Sequence, residues 1–542
     1  MSTLVLSFLL GFLLLVQHSK QSVNKEDSGP VSPHRIPMSI GGVVDTSSRV
    51  GKEQKLAMEM AVHDLHQLST GSELVLINLK DSYGNSAQAA YAAIDLIDRK
   101  HAEAIVGPLT LHEASVVREL NNVTKDIPIM SIAPIPPISP PLLPPQPPSF
   151  IQMSNDLTTH MQCIAAIVGH FRWRKVTAIY EQSTSLSTDS ELIIHLSDSL
   201  LAVDSVIERH TAFPPISSLT NTRNFIEEEL KKLRSKSNRV FILIQSSLDF
   251  AAILFEKAKQ MGMMEKGYVW IVTDDIASLL DSVDPSAISN MQGVIGFKTN
   301  FIDTTESYRQ FRLRFRRNFR SEHPEEEEHS DPSIFALRAY DATLAIARAM
   351  QISQGERNSK GLINHILSSD FEGLSGRIRF NKGQLSELPI FRIINVIGKS
   401  YREVTFWSPL FGFSQDFIKR VGMKMRVGNG LVGELGSIYW PGSDQSVPKG
   451  WSLGEGEKPM KIGVPARGAF NQFVNVNYDP SRNETSVTGF SIEVFEAAVN
   501  RLPYDLPYVL VPYYGSYDEM VAEVHNKVCL SFHDTITYIR YQ

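Results

Sequence analysis

The feature that most constrains the fold is a regular alternation of short apolar segments with amphipathic segments between Pro37 and Pro128. PMSIGGVV predicts a strand, and the next segment places Ala57, Ala61 and Leu65 on one helical face. ELVLINLKDSYG, SAQAAYAAIDLIDRK, AEAIVGPLT and DIPIMSIAP continue as strand, helix, strand and strand. This alternation predicts a parallel sheet with helices on both faces.

The alternation resumes after a proline-rich segment, APIPPISPPLLPPQPPSF, which we interpret as an extended surface connection. A polyproline recognition motif is the alternative for this segment. RKVTAIYE, RVFILIQ and GYVWIVTDD are the next predicted strands, with helical stretches between them. Two runs of strand–helix units predict two doubly wound lobes, and open α/β sheets bind ligands outside the carboxyl ends of their strands.

A pair of opposite charge blocks follows, FRLRFRRNFR and then PEEEEHSD. Phe311, Phe315 and Phe319 recur every four residues, which predicts a helix with a buried phenylalanine stripe and a basic outer face. We expect the acidic block to form a solvated loop, with a functional charge patch as the alternative.

The N-terminus indicates secretion. Leu4–Val16 is an apolar run shorter than the roughly 20 residues that span a bilayer as a helix. We predict a signal peptide over residues 1–22, with an uncleaved anchor as the alternative. Asn122 and Asn483 begin N-x-T triplets and are candidate glycosylation sites.

Charge and cysteine content exclude some classes of protein. The net charge of -6 argues against a nucleic-acid partner. Two cysteines cannot form a disulfide framework, and Cys163 lies in an apolar helical pattern typical of a buried thiol. GNGLVG has the spacing of a dinucleotide loop but follows no strand, and no zinc motif is present. We therefore predict no catalytic residue, no metal site and no cofactor.

Several longer strings resemble a known family. They are AAIDLIDRKHAEAIVGP, WRKVTAIYE, MGMMEKGYVWIVTDD, MQGVIGF, LRAYDATLAIA, KIGVPARGAF and VTGFSIEVFEAAV. Together they resemble the plant glutamate receptor-like family, homologues of ionotropic glutamate receptors. The resemblance implies a two-lobed type I periplasmic-binding-protein-like α/β domain over residues 36–407. It further implies a linker over 408–458 and an incomplete first segment of a type II periplasmic-binding-like ligand-binding domain over 459–542.

The resemblance also implies candidate ligand-binding residues near the C-terminus. In the family an arginine pairs with the ligand α-carboxylate, and its rigid fork suits a carboxylate. Thr535 and Arg540 keep the family's spacing, whereas Asp534 lies one residue closer to Thr535 than the family's aspartate does. Tyr514 matches an aromatic residue that stacks on the ligand. The alternatives are a solvated C-terminus and a core aromatic side chain.

A second candidate site is implied in the cleft between the N-terminal lobes. GPLT and SIAP match segments that place hydroxyl and backbone donors around a ligand carboxylate. The candidate residues of this cleft are Ser82, Gly107, Pro108, Thr110 and Ser131. Leu111 stands where the family more often has a serine.

The resemblance implies the extracellular portion of a ligand-gated cation channel that binds a small amino-acid-like ligand and forms homo- or hetero-oligomers with related subunits. The alternative is a secreted, non-conducting binding or assembly module, and an enzyme using the cleft is the third hypothesis. After the N-terminus no segment has 18 apolar residues without a charge. We therefore expect membrane contact only through segments beyond this sequence, at the extracellular side of the plasma membrane.

Overall fold

The first strand–helix units form as their apolar pattern predicts. The computed structural model describes residues 37–68, 74–107, 110–124, 127–134, 149–182, 186–218, 221–353, 359–414, 435–452, 459–467, 470–479, 484–499, 501 and 506–525. The first elements are β1 (Met38–Val44), α1 (Arg49–Leu68), β2 (Val75–Asp81), α2 (Ser86–Asp98), β3 (Ala104–Val106), α3 (Leu111–Thr124), β4 (Ile129–Ser131), β5 (Phe150–Gln152) and α4 (Leu157–His170).

The second run of units has the same character. Its elements are β6 (Lys175–Glu181), α5 (Leu186–Leu201), β7 (Val206–Phe213), α6 (Thr222–Arg234), β8 (Val240–Ile244), α7 (Leu248–Gln260), β9 (Val269–Val272), α8 (Asp274–Ala277), α9 (Pro285–Ile288) and β10 (Ile295–Thr299). Every residue of β8 and β9 is buried. Strands covered on both faces are apolar throughout, which explains their uninterrupted apolar runs.

The chain then completes both lobes. The elements are α10 (Glu306–Glu322), α11 (Ile334–Ile352), α12 (Ser359–Leu367), β11 (Asp370–Glu372), β12 (Arg377–Asn381), β13 (Gln384–Leu385), β14 (Phe391–Ile397), β15 (Ser400–Ser408) and β16 (Gly412–Ser414).

The strands form two mixed eight-stranded sheets, ordered β11-β12-β13-β5-β4-β3-β1-β2 and β16-β15-β14-β10-β9-β8-β6-β7. The first sheet has a block of six parallel strands from β13 to β2, and the second has a block of five from β10 to β7. Antiparallel strands extend each block at one end. Alternate residues of β3 pack on opposite faces: Val106 joins the core formed with α1 and α11, and Ile105 the core formed with α2 and α3. The predicted α/β fold of two doubly wound lobes is confirmed.

The chain crosses from one lobe to the other three times, after β5, β10 and β13. The first crossing includes α4, where Cys163 is fully buried. The predicted buried thiol is confirmed, and its burial raises the pKa of the thiol. The proline-rich segment from 135 to 148 lies outside the described residues, as do Cys529 and the predicted signal peptide.

The charge blocks give one confirmed and one wrong expectation. Phe311, Phe315 and Phe319 of α10 are buried, as their spacing predicts. The acidic block is not a solvated loop at Glu326, whose carboxylate pairs with Arg49 at 2.7 Å and Lys52 at 2.6 Å. These cations lie on α1, more than 270 residues away in sequence, so local charge pattern could not identify them.

Residues 435–452 of the predicted linker pack on the second lobe. Trp440 is 1% exposed, with its ring 5.0 Å from that of Phe171 and 5.6 Å from that of Trp173. The Trp173 indole N–H donates to the Pro448 carbonyl at 2.8 Å. We call residues 435–452 the strap. The predicted domain boundaries around it remain a prediction.

The last elements are β17 (Met460–Pro465), β18 (Asn475–Asp479), β19 (Glu484–Thr488), α13 (Phe490–Val499), β20 (Tyr508–Tyr513) and α14 (Tyr517–His525). We call residues 459–525 the C-terminal module. Strands β17 and β20 pair in parallel, and α13 lies between them in the chain, so these elements form a βαβ unit. Val464 and Ile492 are buried, but Phe470 is 78% exposed. Within the described ranges, no helix is both long enough and apolar enough to cross a membrane.

Candidate functional site

The carboxyl ends of the parallel strands bring three of the five cleft candidates to one edge of the first sheet. Ser82 follows β2, Gly107 follows β3, and Ser131 ends β4. The register aligns these ends, since β1 pairs with β2 up to Asp81 and β3 pairs with β4 at Val106. Pro108 lies outside the described residues.

Gly107 has a backbone role at this edge. Its φ is +99°, and a Cβ there would lie 2.3 Å from the Val43 carbonyl oxygen. Its N–H donates to the Met130 carbonyl at 3.0 Å. Glycine is required because the chain passes so close to β1 in a conformation that L side chains disfavour.

Thr110 caps the N-terminus of α3. Its hydroxyl accepts the Glu113 N–H at 3.2 Å, and its own N–H and hydroxyl donate to Glu113 Oε2 at 3.2 and 3.0 Å. This reciprocal arrangement is a capping box. The sequence reasoning missed Glu113, although the Thr-x-x-Glu spacing before an apolar run is the signal for it.

Unsatisfied buried polar atoms collect at the same edge. Ser82, Glu113 and Ser131 are at most 1% exposed. Among the described residues, the hydroxyls of Ser82 and Ser131 and Oε1 of Glu113 have no hydrogen-bond partner. The Ser82 hydroxyl lies close enough to lower the pKa of Glu113, but outside normal hydrogen-bond geometry. Buried polar groups usually have partners, so this edge retains capacity for a ligand.

Burial has the largest effect on the pKa values of the carboxylates at these sheet edges. It raises the pKa of Glu113, and the charge of Asp45 adds to that rise, while Ser82 and Thr110 oppose it. In the second lobe, burial likewise raises the pKa of Glu181 at the end of β6. Both carboxylates are expensive to ionise without a compensating charge.

His112 connects the two lobes. Its ring, in the first turn of α3, interacts with the main-chain carbonyl of Glu181 at the end of β6. Burial lowers the pKa of His112 to about 4, so the ring is neutral at pH 7. This interaction places the carboxyl-end edge of the second sheet beside that of the first. The ligand cleft between the lobes stays a prediction.

The acidic residues after β9 are structural. Asp274 accepts the Thr299 N–H at 2.7 Å and its hydroxyl at 2.6 Å. Asp275 accepts the Ser246 N–H at 2.7 Å, and burial raises the pKa of Asp275 to about 6. These residues follow β9, and their hydrogen bonds tie β8, β9 and β10 together.

The C-terminal candidates are only partly described. Tyr514 is 60% exposed, with the Arg467 guanidinium carbon 5.8 Å from the centre of its ring. Asn483 lies outside the described residues, and so do three of the C-terminal ligand-binding candidates, Asp534, Thr535 and Arg540. Asn122 lies within α3. Their roles stay predictions, and so does the stacking role of Tyr514.

Comparison with known sequences identifies the family. Residues 53–399, more than half of the 542 residues, match the receptor family ligand binding region. The chain belongs to this receptor family. It is 30% identical to glutamate receptor 2.6 of Arabidopsis thaliana over 96% of this chain and 54% of that protein. For glutamate receptor 2.4 of the same plant the identity is 33%, over 88% of this chain and 53% of that protein.

This receptor chain therefore spans about half the length of the curated relatives it matches, and the resemblance to plant glutamate receptor-like proteins is confirmed. Among solved structures, it is similar to the branched-chain amino acid transporter substrate-binding protein LivJ of Streptococcus pneumoniae, with a TM-score of 0.51 and 15% identity. The leucine-binding protein LivK of Thermotoga maritima gives 0.52 and 13%. Each covers 69% of this chain and nearly all of its own length, which confirms the fold.

Proposed function

We propose that this chain is the extracellular ligand-binding part of a glutamate receptor-like cation channel and that it binds a small amino-acid-like ligand. The observation that carries the proposal is the pair of carboxyl-end sheet edges, in contact through His112 and Glu181 and bearing the unpartnered hydroxyls of Ser82 and Ser131. The names of the relatives and the amino-acid-binding proteins of the same fold support it. We infer no catalytic role, since these proteins are receptors and binding proteins.

Ligand binding would act through the closure of the lobes. A ligand that contacts both edges binds the closed arrangement better, and this difference in affinity shifts the population toward closure. The strap would transmit this movement to the C-terminal module. It packs on the second lobe, and its Lys449 donates to the Tyr508 hydroxyl in β20 at 2.9 Å. Movement of the second lobe would thus displace the C-terminal module.

Calorimetric titration of the purified chain with the common amino acids tests the proposal. We expect saturable binding of at least one of them. Ser131→Ala should weaken it by about tenfold through loss of one ligand hydrogen bond. The exposed Ser218, whose hydroxyl donates to the Pro215 carbonyl, provides the matched control Ser218→Ala. Absence of binding to every amino acid would contradict the proposed ligand.

The alternative of a secreted binding or assembly module is favoured by the apolar surface of the C-terminal module. Phe470 is 78% and Phe490 59% exposed, and exposed apolar surface is typical of association sites. Sedimentation equilibrium tests it. Under this alternative the chain self-associates, and the double variant Phe470→Ser and Phe490→Ser is monomeric. A monomeric wild type would exclude self-assembly through this surface.

A further inference from the structure

The N-terminus of α3 is occupied by the chain's own carboxylate. The N–H groups that open a helix attract anions, and α3 has 14 residues. Here the N–H and hydroxyl of Thr110 both donate to Glu113 Oε2, at 3.2 and 3.0 Å. A ligand carboxylate would have to displace Glu113 to reach these donors. The internal carboxylate therefore opposes anion binding at this place.

The surrounding charge is negative as well. The charge acting most strongly on Glu113 is that of Asp45, and the one acting most strongly on Glu181 across the cleft is that of Asp249. In the described part of the chain, neither Glu113 nor Glu181 is paired with a lysine or arginine. Buried carboxylates without a counter-charge favour a cationic partner.

The unpartnered atoms at this edge match such a partner. Glu113 is 1% exposed and its Oε1 has no donor, while the Ser82 hydroxyl beside it has no partner either. Carboxylate and hydroxyl oxygens accept hydrogen bonds, and an ammonium group carries three donors and no acceptor. A charged donor to a buried carboxylate forms one of the stronger hydrogen bonds found in proteins.

A metal ion fits less well. Calcium requires six to eight oxygen ligands, several of them carboxylates. Over the described ranges, no group of three or more His, Cys, Asp or Glu side chains is arranged to hold a metal ion.

We propose that the first-lobe edge of the cleft, at Asp45, Ser82 and Glu113, binds the ammonium group of a small aliphatic amine and disfavours an α-carboxylate. This rests on the proposed function, because it treats the cleft as a ligand site. It deepens that function by stating which group of the ligand the cleft recognises. The donors for a ligand carboxylate must then come from elsewhere in the protein.

Two matched pairs of probes test the proposal by calorimetric titration of the full chain. Ethylamine is alanine without its carboxylate, and ethanolamine is serine without its carboxylate. We expect each amine to bind at least tenfold more tightly than its amino acid. Glu113→Gln keeps the shape and a capping oxygen but removes the charge, and should weaken amine binding by about ten- to a hundredfold. Glu306→Gln, in the exposed first turn of α10, is the control.

The outcomes separate this inference from the proposed function. If alanine or serine binds more tightly than its amine, the inference is overturned and the proposed function stands. If no probe and no other amino acid binds, both fail. Amine binding that Glu113→Gln does not weaken more than Glu306→Gln overturns the inference. Should Glu113→Gln not fold, Asp45→Asn takes its place: a severalfold loss of amine affinity supports the inference, and no change overturns it.

Discussion

At the scale of single residues, Gly107 shows how a backbone constraint lies inside the candidate site. Its positive φ and its approach to the Val43 carbonyl act together. Gly398 also has a positive φ, +64°, but nothing lies within 4 Å of the Cβ that would be added there. Substitution of the two glycines therefore separates two costs of adding a Cβ atom, the cost of the left-handed backbone conformation and the cost of steric contact.

We expect Gly398→Ala to lower the free energy of unfolding by about 1 kcal/mol, the cost of a left-handed L residue. Gly107→Ala should lower it by about 3 kcal/mol, because β1 or β3 must also move. Urea denaturation followed by circular dichroism measures both. Equal losses for the two variants would show that contact with Val43 has no role.

His160 gives a second residue-scale prediction. Its ring packs edge-on against Phe297 and Phe391, with centroids 5.6 and 5.2 Å apart. Burial lowers its pKa from 6.5 to about 4. Between these values the unfolded chain binds a proton that the folded chain does not. The contribution of His160 to stability is thus present above pH 6.5 and is lost as the pH falls toward 4.

The change His160→Leu should flatten this dependence by up to about 1.4 kcal/mol per pH unit, the value for one proton. Urea denaturation at intervals from pH 7 to pH 4.5 measures the slope for both proteins. The slope is informative even if leucine alters the absolute stability. An unchanged slope would contradict the assignment of this proton uptake to His160.

At the scale of elements, α10 shows what local pattern can and cannot predict. The sequence predicts its phenylalanine stripe because a helix returns to the same face every three or four residues. The sequence does not predict its ion pairs, since Arg314 contacts Asp64, which lies 250 residues earlier on α1. Residue spacing within the helix determines which of its side chains are buried. The tertiary fold determines which residues pair with its outer side chains.

For this helix we expect Phe315→Ala to lower the free energy of unfolding by about 3–5 kcal/mol through loss of burial and creation of a cavity. Arg309→Ala, on the exposed face, should change it by no more than about 0.5 kcal/mol. Thermal and urea denaturation of the two variants provide the comparison. A small effect for Phe315→Ala would mean that the core around α10 can collapse to fill the space.

At the scale of the whole molecule, burial is uneven along the chain. The two eight-stranded lobes share large buried cores, whereas the C-terminal module consists of two-stranded sheets with Phe470, Phe490 and Val521 more than half exposed. Segments with few buried contacts open at low free-energy cost. The resistance of the two parts to unfolding should therefore differ.

Limited proteolysis tests this difference. We expect trypsin to cleave between residues 459 and 525 well before it cleaves between 38 and 407, leaving a stable large fragment. Mass spectrometry of a time course identifies the cleavage sites. Equal resistance of the C-terminal module would contradict the prediction and would imply that association through its apolar surface protects it.

The sequence by itself determined the alternating elements, the two lobes, the buried Cys163, and the placement of Ser82 and Ser131 at strand ends. These features follow from periodicity within short segments, where apolar spacing sets which face is buried. The Thr110–Glu113 capping box was equally local and was missed because the threonine was interpreted only as a ligand donor.

Only the tertiary structure decided the partners of distant residues. It placed Asp274 against Thr299 and the Trp173 indole against Pro448 of the strap. It likewise brought His112 of the first lobe to Glu181 of the second. Such contacts join residues separated by tens to hundreds of positions, and no local pattern encodes them. They form because folding buries polar groups from elements far apart in the chain, and each buried group requires a partner.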